Sequence, residues 1–170
     1  SITNRQGIMT DWSHNMTHNP LAASLAFKGK SQNGLYGDAT EELDWSMGVL
    51  LETLKEEGLD QNTLVIFTSD NGADEHFGGT NRPLRGQKGT TYEGGFRVPC
   101  IMRWPAKIPA GQETDNLVTS MDFLPTLAHY CGYAVPSDRV IDGHNVSGIL
   151  EGESMASPTE TFYYYQKQQL

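Results

Sequence analysis

Cysteine is scarce: Cys100 and Cys131 are the only two among 170 residues. They form neither a C-x-x-C pair nor a disulfide framework, and both are expected to be free or buried thiols. Long apolar runs are missing as well. No stretch approaches the roughly 18 consecutive residues that a membrane-spanning helix needs, and residues 1–11 lack the apolar core of a secretion signal. Positive charge is in short supply, with 12 Lys plus Arg against 21 Asp plus Glu and a formal net charge of −9. Nucleic-acid phosphates call for a basic field, and these cations form no run, which excludes a general nucleic-acid-binding role. An anionic ligand must therefore be met by a local group of cations. Repeats and low-complexity tracts are absent too. What remains is one domain's length of chain with apolar content close to the globular average.

Residues 1–37 are polar and turn-rich, punctuated by Asn19-Pro20 and Asn33-Gly34, and read mostly as loop. From Asp38 onward, Ala39, Leu43, Met47, Leu50, Leu51 and Leu54 recur at three- and four-residue spacings, which predicts an amphipathic helix. Glu41, Glu42 and Asp44 lie towards its start and Lys55 in its last turn, as the helix dipole favours, and Gly58 stops it. Thr63-Leu64-Val65-Ile66-Phe67 is an unbroken apolar run rich in β-branched residues. Such a run predicts a central parallel strand covered on both faces, and with the preceding helix it points to an α/β architecture.

Thr68-Ser69-Asp70-Asn71-Gly72 then falls at that strand's C-terminal end, where open α/β sheets bind ligands. A long glycine-rich segment, 72–95, follows; loops of this length inside a domain are usually functional or disordered. Residues 96–104 predict a further strand ended by Pro105, and 120–130 a short helix closed by Gly132. The chain is turn-rich beyond Pro136, and Phe162-Tyr163-Tyr164-Tyr165 predicts a last strand.

Asp70 and Asn71 offer a carboxylate and an amide oxygen, the hard donors that Ca²⁺ or Mg²⁺ prefers, although Asx-Gly at a strand end is equally ordinary turn chemistry. Lys88, among Gly86, Gln87 and Gly89, is a point charge on flexible backbone, suited to an anion's oxygen or to plain solvent. His18, before Asn19-Pro20, is a candidate general acid or anion donor, and His76 lies in the glycine-rich loop.

Taken together, several strings resemble one family. They are Leu35-Tyr36-Gly37-Asp38-Ala39 followed by Glu41 to Asp44, Phe67-Thr68-Ser69-Asp70-Asn71-Gly72, and Leu84-Arg85-Gly86-Gln87-Lys88-Gly89-Thr90-Thr91-Tyr92-Glu93-Gly94-Gly95. Met121-Asp122-Phe123-Leu124-Pro125-Thr126-Leu127 and Asp138-Arg139-Val140-Ile141-Asp142-Gly143 fit it too. In this order they resemble the sulfatase family, nearest its arylsulfatase and N-acetylgalactosamine-6-sulfatase-like branch, over residues 12–165. The resemblance implies an α/β, alkaline-phosphatase-like sandwich with a mixed, mostly parallel sheet flanked by helices. It also implies a Ca²⁺ (or Mg²⁺) site and hydrolysis of sulfate esters by a cysteine-derived formylglycine.

Carried over residue by residue, Asp70 and Asn71 match the strand-end metal ligands. Lys88 matches the lysine on a sulfate oxygen, and His18 the histidine that contacts sulfate and leaving group. Arg85 and Glu93 match positions read as loop-shaping.

The departure lies in the nucleophile. The family's Cys-x-Pro-x-Arg segment has no counterpart, because Cys100 is followed by Ile101-Met102-Arg103 and Cys131 by Gly132-Tyr133-Ala134. Formylglycine is thus not available from this chain, and the paired aspartates that complete the metal shell are missing, so weak Ca²⁺ binding is expected. The chain resembles the second half of a sulfatase, with residues 1–135 in the α/β domain and 136–170 as the turn-rich start of a C-terminal subdomain with a small β region.

The resemblance implies a sulfated small molecule or sulfated carbohydrate as partner, with neither nucleic acid nor a membrane span. Two alternatives stand beside it: a phosphate mono- or diester hydrolase of the same superfamily, and a non-catalytic folded fragment or binding module. An unfinished sheet edge would favour homo-oligomers. Family analogy points to a secreted, periplasmic or lysosomal setting. Asn15-Met16-Thr17 and Asn145-Val146-Ser147 are formal glycosylation sequons.

Overall fold

The computed structural model describes residues 13–153 and 156–165. These residues gather into two compact units, one built from residues 13–106 with 163–165 and the other from Lys107–Phe162.

The first unit opens with a loop and then helix α1, Gly34–Glu56. The helix begins four residues before the start that its apolar spacing predicts, and Asp38 shows why. Its carboxylate, 2% exposed, accepts the N–H groups of Gly29 (2.7 Å), Lys30 (3.0 Å) and Ser31 (2.8 Å). Asp38 therefore lies inside the helix and fastens the loop in front of it. Those N–H groups, Gly29 first and Ser31 next, hold the carboxyl below its ordinary value against the opposing effect of burial. Leu43, Met47, Leu50, Leu51 and Leu54 share a half-buried face. Gly58, at φ 68°, closes the helix as predicted, with Leu59 N–H reaching back to the Leu54 carbonyl at 2.8 Å.

A 3-10 turn, Asp60–Asn62, leads to strand β1, Val65–Thr68. Strand β2, Cys100–Arg103, runs antiparallel to it, with Val65 opposite Arg103 and Thr68 opposite Cys100. This corrects the expected parallel pairing: the sheet among the described residues is two-stranded and antiparallel. An unbroken apolar run specifies a strand wanting cover on both faces but says nothing of its partner's direction, and Val65, Ile66 and Phe67 are here only half-buried. Arg103 pairs with Asp60 at 2.6 Å, and Trp104 donates its indole N–H to the Gln61 carbonyl at 3.1 Å. These contacts fix the start of β1 beside the end of β2.

The strand expected over 96–104 is shorter, because Phe96 closes a one-turn helix α2, Glu93–Phe96. The last strand expected over 162–165 does not form. Tyr164 instead stacks its ring on Phe96, centroids 3.9 Å apart and planes 17° from parallel. The aromatic run that suggests β-structure is satisfied here by ring packing.

In the second unit, a 3-10 turn, Ser120–Asp122, feeds helix α3, Phe123–Cys131, which ends at Gly132 as predicted. The one-turn helix α4, Ser147–Leu150, follows. Asp122, 1% exposed, accepts Thr119 N–H at 2.7 Å, the Thr119 hydroxyl at 3.1 Å and His144 N–H at 2.7 Å. The Thr126 hydroxyl accepts Val146 N–H at 3.0 Å. Val146 and Ile149 are buried beside this polar lattice. At Gly143 a side chain would overlap the Met121 carbonyl, so the chain passes there only without a Cβ. Residues 156–162 of this unit form no strand, and the expected β region is not seen among the described residues. No helix among them is long and apolar enough to cross a membrane.

Candidate active site

The site is built where β1 ends. Thr68 donates its hydroxyl to the Pro99 carbonyl at 3.0 Å, and Ser69 donates its own to the Asn71 carbonyl at 3.0 Å. The chain turns there, leaving Asp70 exposed and Asn71 half-buried. Gly72 then donates its N–H to the Gly95 carbonyl at 2.9 Å, and Gly94 donates to the Arg85 carbonyl at 2.8 Å.

Three backbone layers are thereby pressed together: the strand end, the start of α2 and the loop carrying Lys88. A Cβ at Gly72 would overlap the Gly94 carbonyl oxygen, and one at Gly94 the Gly86 carbonyl oxygen. Close approach is the reason for glycine at both positions.

The Lys88 loop hangs from residue 73. Lys88 donates its N–H to the Ala73 carbonyl at 3.1 Å. The Asn81 side chain brackets the same residue, accepting Ala73 N–H at 2.8 Å and donating to its carbonyl at 2.9 Å. Gln87 accepts Glu75 N–H at 3.0 Å. The side chain of Lys88 meets His18 across 70 residues of chain, with Nζ 3.1 Å from Nε2. The other ring nitrogen, Nδ1, lies 2.8 Å from the Asn19 carbonyl. A carbonyl can only accept, so Nδ1 carries the proton and the neutral ring presents a lone pair on Nε2 to the Lys88 ammonium.

Of the four residues the sequence singles out, the structure brings His18 and Lys88 into contact. Asp70 and Asn71 sit on the turn just before Ala73, the anchor of the Lys88 backbone. Neither of their side chains makes a hydrogen bond or ion pair among the described residues. Their oxygens are the hard donors a divalent cation takes, yet two fall short of the six to eight oxygens Ca²⁺ collects. Among the described residues no group of three or more His, Cys, Asp or Glu side chains could hold a metal. The pair thus suits such an ion in kind and would form part of its shell.

Arg85 lays its guanidinium 3.8 Å above the Tyr92 ring and donates to the Tyr92 hydroxyl at 2.8 Å, while Glu93 pairs with Arg97 at 3.4 Å. Arg85 is thus engaged by Tyr92, and Glu93 by the arginine that follows α2. Cys100 keeps part of its surface in water, but burial pushes its thiol up against the pull of the Thr68 hydroxyl, which works against its acting as a nucleophile.

Sequence reasoning missed Asp74. Its carboxylate caps the 3-10 turn Glu75–Phe77 through His76 N–H at 3.1 Å and holds the His76 ring Nδ1 at 2.9 Å. His76, chiefly through its side chain, keeps Asp74 below the ordinary carboxylate range, with a smaller contribution from the Lys88 charge. Asp-x-His inside a glycine-rich stretch was the available signal, a capping residue before a turn.

Comparison with known proteins bears directly on this arrangement. The Sulfatase family profile matches residues 6–133. Human steryl-sulfatase is 46% identical over 156 residues, covering 87% of this chain and 27% of its own. The N-acetylgalactosamine-6-sulfatase of Canis lupus familiaris is 44% identical over 158 residues, covering 90% of this chain and 30% of its own. The crystal structure of the PsFucS1 sulfatase from Pseudoalteromonas sp. superposes with a TM-score of 0.74 at 36% identity, covering 84% of this chain and 29% of that one. The chain spans under a third of the length of these relatives. The match takes in His18, the strand-end Asp70-Asn71 turn and the Lys88 loop within one continuous stretch, and the chain belongs to the sulfatase family.

Proposed function

We propose that this chain carries the sulfate-holding part of a sulfuric ester hydrolase acting on a sulfated carbohydrate or sulfated small molecule. The contact that carries the reading is Lys88 Nζ to His18 Nε2 at 3.1 Å, formed beside the end of β1 in a chain short of cations. A sulfate oxygen entering between them takes the ammonium of Lys88 as its partner, and this fixed charge offsets the negative charge that grows as the S–O bond breaks.

His18 is released to take a proton on Nε2 while its Nδ1–H stays on the Asn19 carbonyl, which fixes the ring's orientation. In that state it donates to the departing alkoxide as general acid. Asp70 and Asn71 would hold a Ca²⁺ (or Mg²⁺) ion, which when bound supplies Lewis-acid polarisation of the sulfate. Neither Cys100 nor Cys131 lies in a Cys-x-Pro-x-Arg segment, so neither is the source of a formylglycine.

The test is hydrolysis of 4-nitrophenyl sulfate by the protein, with and without added Ca²⁺, beside Lys88→Ala, His18→Ala and Asp70→Ala. Loss of a general acid lowers a rate by about 10²–10⁴-fold where the leaving group needs its proton; any turnover the protein supports should fall in Lys88→Ala, which removes the charge on the sulfate, and fall by less than that range in His18→Ala on this ester. Because the ester is an activated one, the His18 loss should grow on an alkyl sulfate. Titration of inorganic sulfate provides a readout independent of turnover and should weaken in Lys88→Ala. Sulfate affinity and turnover both indifferent to Lys88 and His18 would refute the assignment.

A further inference from the structure

Lys88 and His18 meet each other directly, Nζ to Nε2 at 3.1 Å. A lysine ammonium and a protonated imidazole nitrogen both donate, and two donors do not face each other at hydrogen-bond distance. The other ring nitrogen, Nδ1, lies 2.8 Å from the Asn19 carbonyl and carries the ring's proton. The line from Nζ to Nε2 therefore holds a single proton, that of the Lys88 ammonium, and the pair bears one positive charge where it could bear two.

An oxyanion changes that count. Its oxygens accept and never donate, so between Nζ and Nε2 it meets a donor on one side and a lone pair on the other, and the lone pair repels it until Nε2 takes up a proton. Once protonated, Nε2 offers a second charge-assisted hydrogen bond, and the negative charge between the two cations offsets their mutual repulsion. The ring needs no reorientation, because Nδ1–H stays on Asn19. Both side chains are exposed, so the proton has open access from water.

The neighbouring groups leave this role to His18. Asp74 feels the Lys88 charge but is held below the ordinary carboxylate range, chiefly by the His76 side chain, and stays ionised at neutral pH. His76 has its Nδ1 on Asp74 at 2.9 Å. His14, on the same loop as His18, lies 3.3 Å from the Ser46 hydroxyl, and Asp70 is exposed on the strand-end turn.

We propose that the Lys88–His18 pair is a proton-coupled anion receptor: it closes on itself around one shared charge, and opens to a sulfate oxygen by taking up one proton at His18 Nε2. By linkage, sulfate affinity falls as pH rises, and bound sulfate in turn holds on His18 the proton that a departing alkoxide needs. The inference rests on the sulfate-site reading above and adds what controls that site.

Calorimetric titration of the protein with inorganic sulfate at neutral pH, repeated in buffers of different ionisation enthalpy, counts the protons, since the observed heat varies in proportion to the number taken up. About one proton per sulfate is expected, and affinity should fall by up to about tenfold per unit of rising pH, the linkage for one proton. In His18→Gln, which keeps a donor but cannot titrate, the uptake and the pH dependence should both vanish while sulfate still binds through Lys88. In His76→Gln both should persist. Nitrogen NMR shifts of the His18 ring give a readout that needs no variant, moving from the neutral Nδ1–H form to the imidazolium as sulfate is added. Sulfate binding that requires Lys88 but takes up no proton, or an uptake that His18→Gln leaves in place, overturns the coupling and leaves the sulfate site standing. Sulfate affinity unchanged in Lys88→Ala, or no sulfate binding by the parent protein, overturns the sulfate-site reading and the coupling with it.

Discussion

Replacing Asp122 with alanine removes one carboxylate and leaves two backbone N–H groups, those of Thr119 and His144, without the acceptor they now meet at 2.7 Å each. The site is 1% exposed, so water does not already compete for these donors. A buried donor stripped of its partner costs about 1–3 kcal/mol, and two give about 2–6. The Thr119 hydroxyl can rotate to another partner and adds little. Water entering the vacated space favours the lower half of the range, so we expect a loss of about 3 kcal/mol, a large share of the roughly 5–15 kcal/mol that holds a typical domain.

Asp122→Asn keeps one acceptor oxygen and should lose about half as much. With a urea slope of about 2 kcal/mol/M, the alanine variant should unfold about 1.5 M earlier. Because the chain has two compact units, hydrogen exchange read peptide by peptide is the sharper assay. The amides of Thr119, His144 and Val146 should lose protection while those of α1 keep theirs. An unchanged urea midpoint together with unchanged exchange at His144 would refute the view that this carboxylate pins the 143–146 segment onto α3.

Two further outcomes follow from the same structure. In Gly94→Ala the new methyl group meets the Gly86 carbonyl. Forcing the layers apart should cost about 1–3 kcal/mol and weaken inorganic sulfate binding through displacement of Lys88, measurable as a lower melting temperature and a weaker titration. The second concerns acid. Asp38 is held below its ordinary value by the N–H groups of Gly29, Ser31 and Lys30. Its contribution to stability is therefore complete above the unfolded carboxyl value of about 3.9 and is lost as pH falls through its lower folded value. Proteolysis or hydrogen exchange of residues 29–31 should accelerate only below about pH 4, and in Asp38→Asn this acid-dependent step should disappear.

Much of the local order was legible in the residues themselves. The spacing of Leu43, Met47, Leu50 and Leu54 places α1, and Gly58 and Gly132 mark helix ends. The run from Val65 to Phe67 marks a strand, and the polar turn after it marks a place for chemistry. Each of these depends on neighbours a few residues apart, where backbone preference and side-chain periodicity act directly.

The errors have a shared origin in the long-range environment. The direction of the partner of β1 depends on where Cys100–Arg103 arrives, which is not encoded in the apolar run. Phe162 to Tyr165 suit a strand equally well, but Tyr164 found an aromatic face in Phe96 instead. The sequence alone therefore determined which chemical groups were available: an aspartate and asparagine after a strand, a lysine among glycines, a histidine in a loop, and two cysteines that lie outside any Cys-x-Pro-x-Arg segment. Only the tertiary structure decided that His18 and Lys88, 70 residues apart, would face each other at 3.1 Å. The glycine-lined backbone layers place the Lys88 loop, the loop of His18 arrives beside it from a distant part of the chain, and such contacts leave no periodic trace in the sequence.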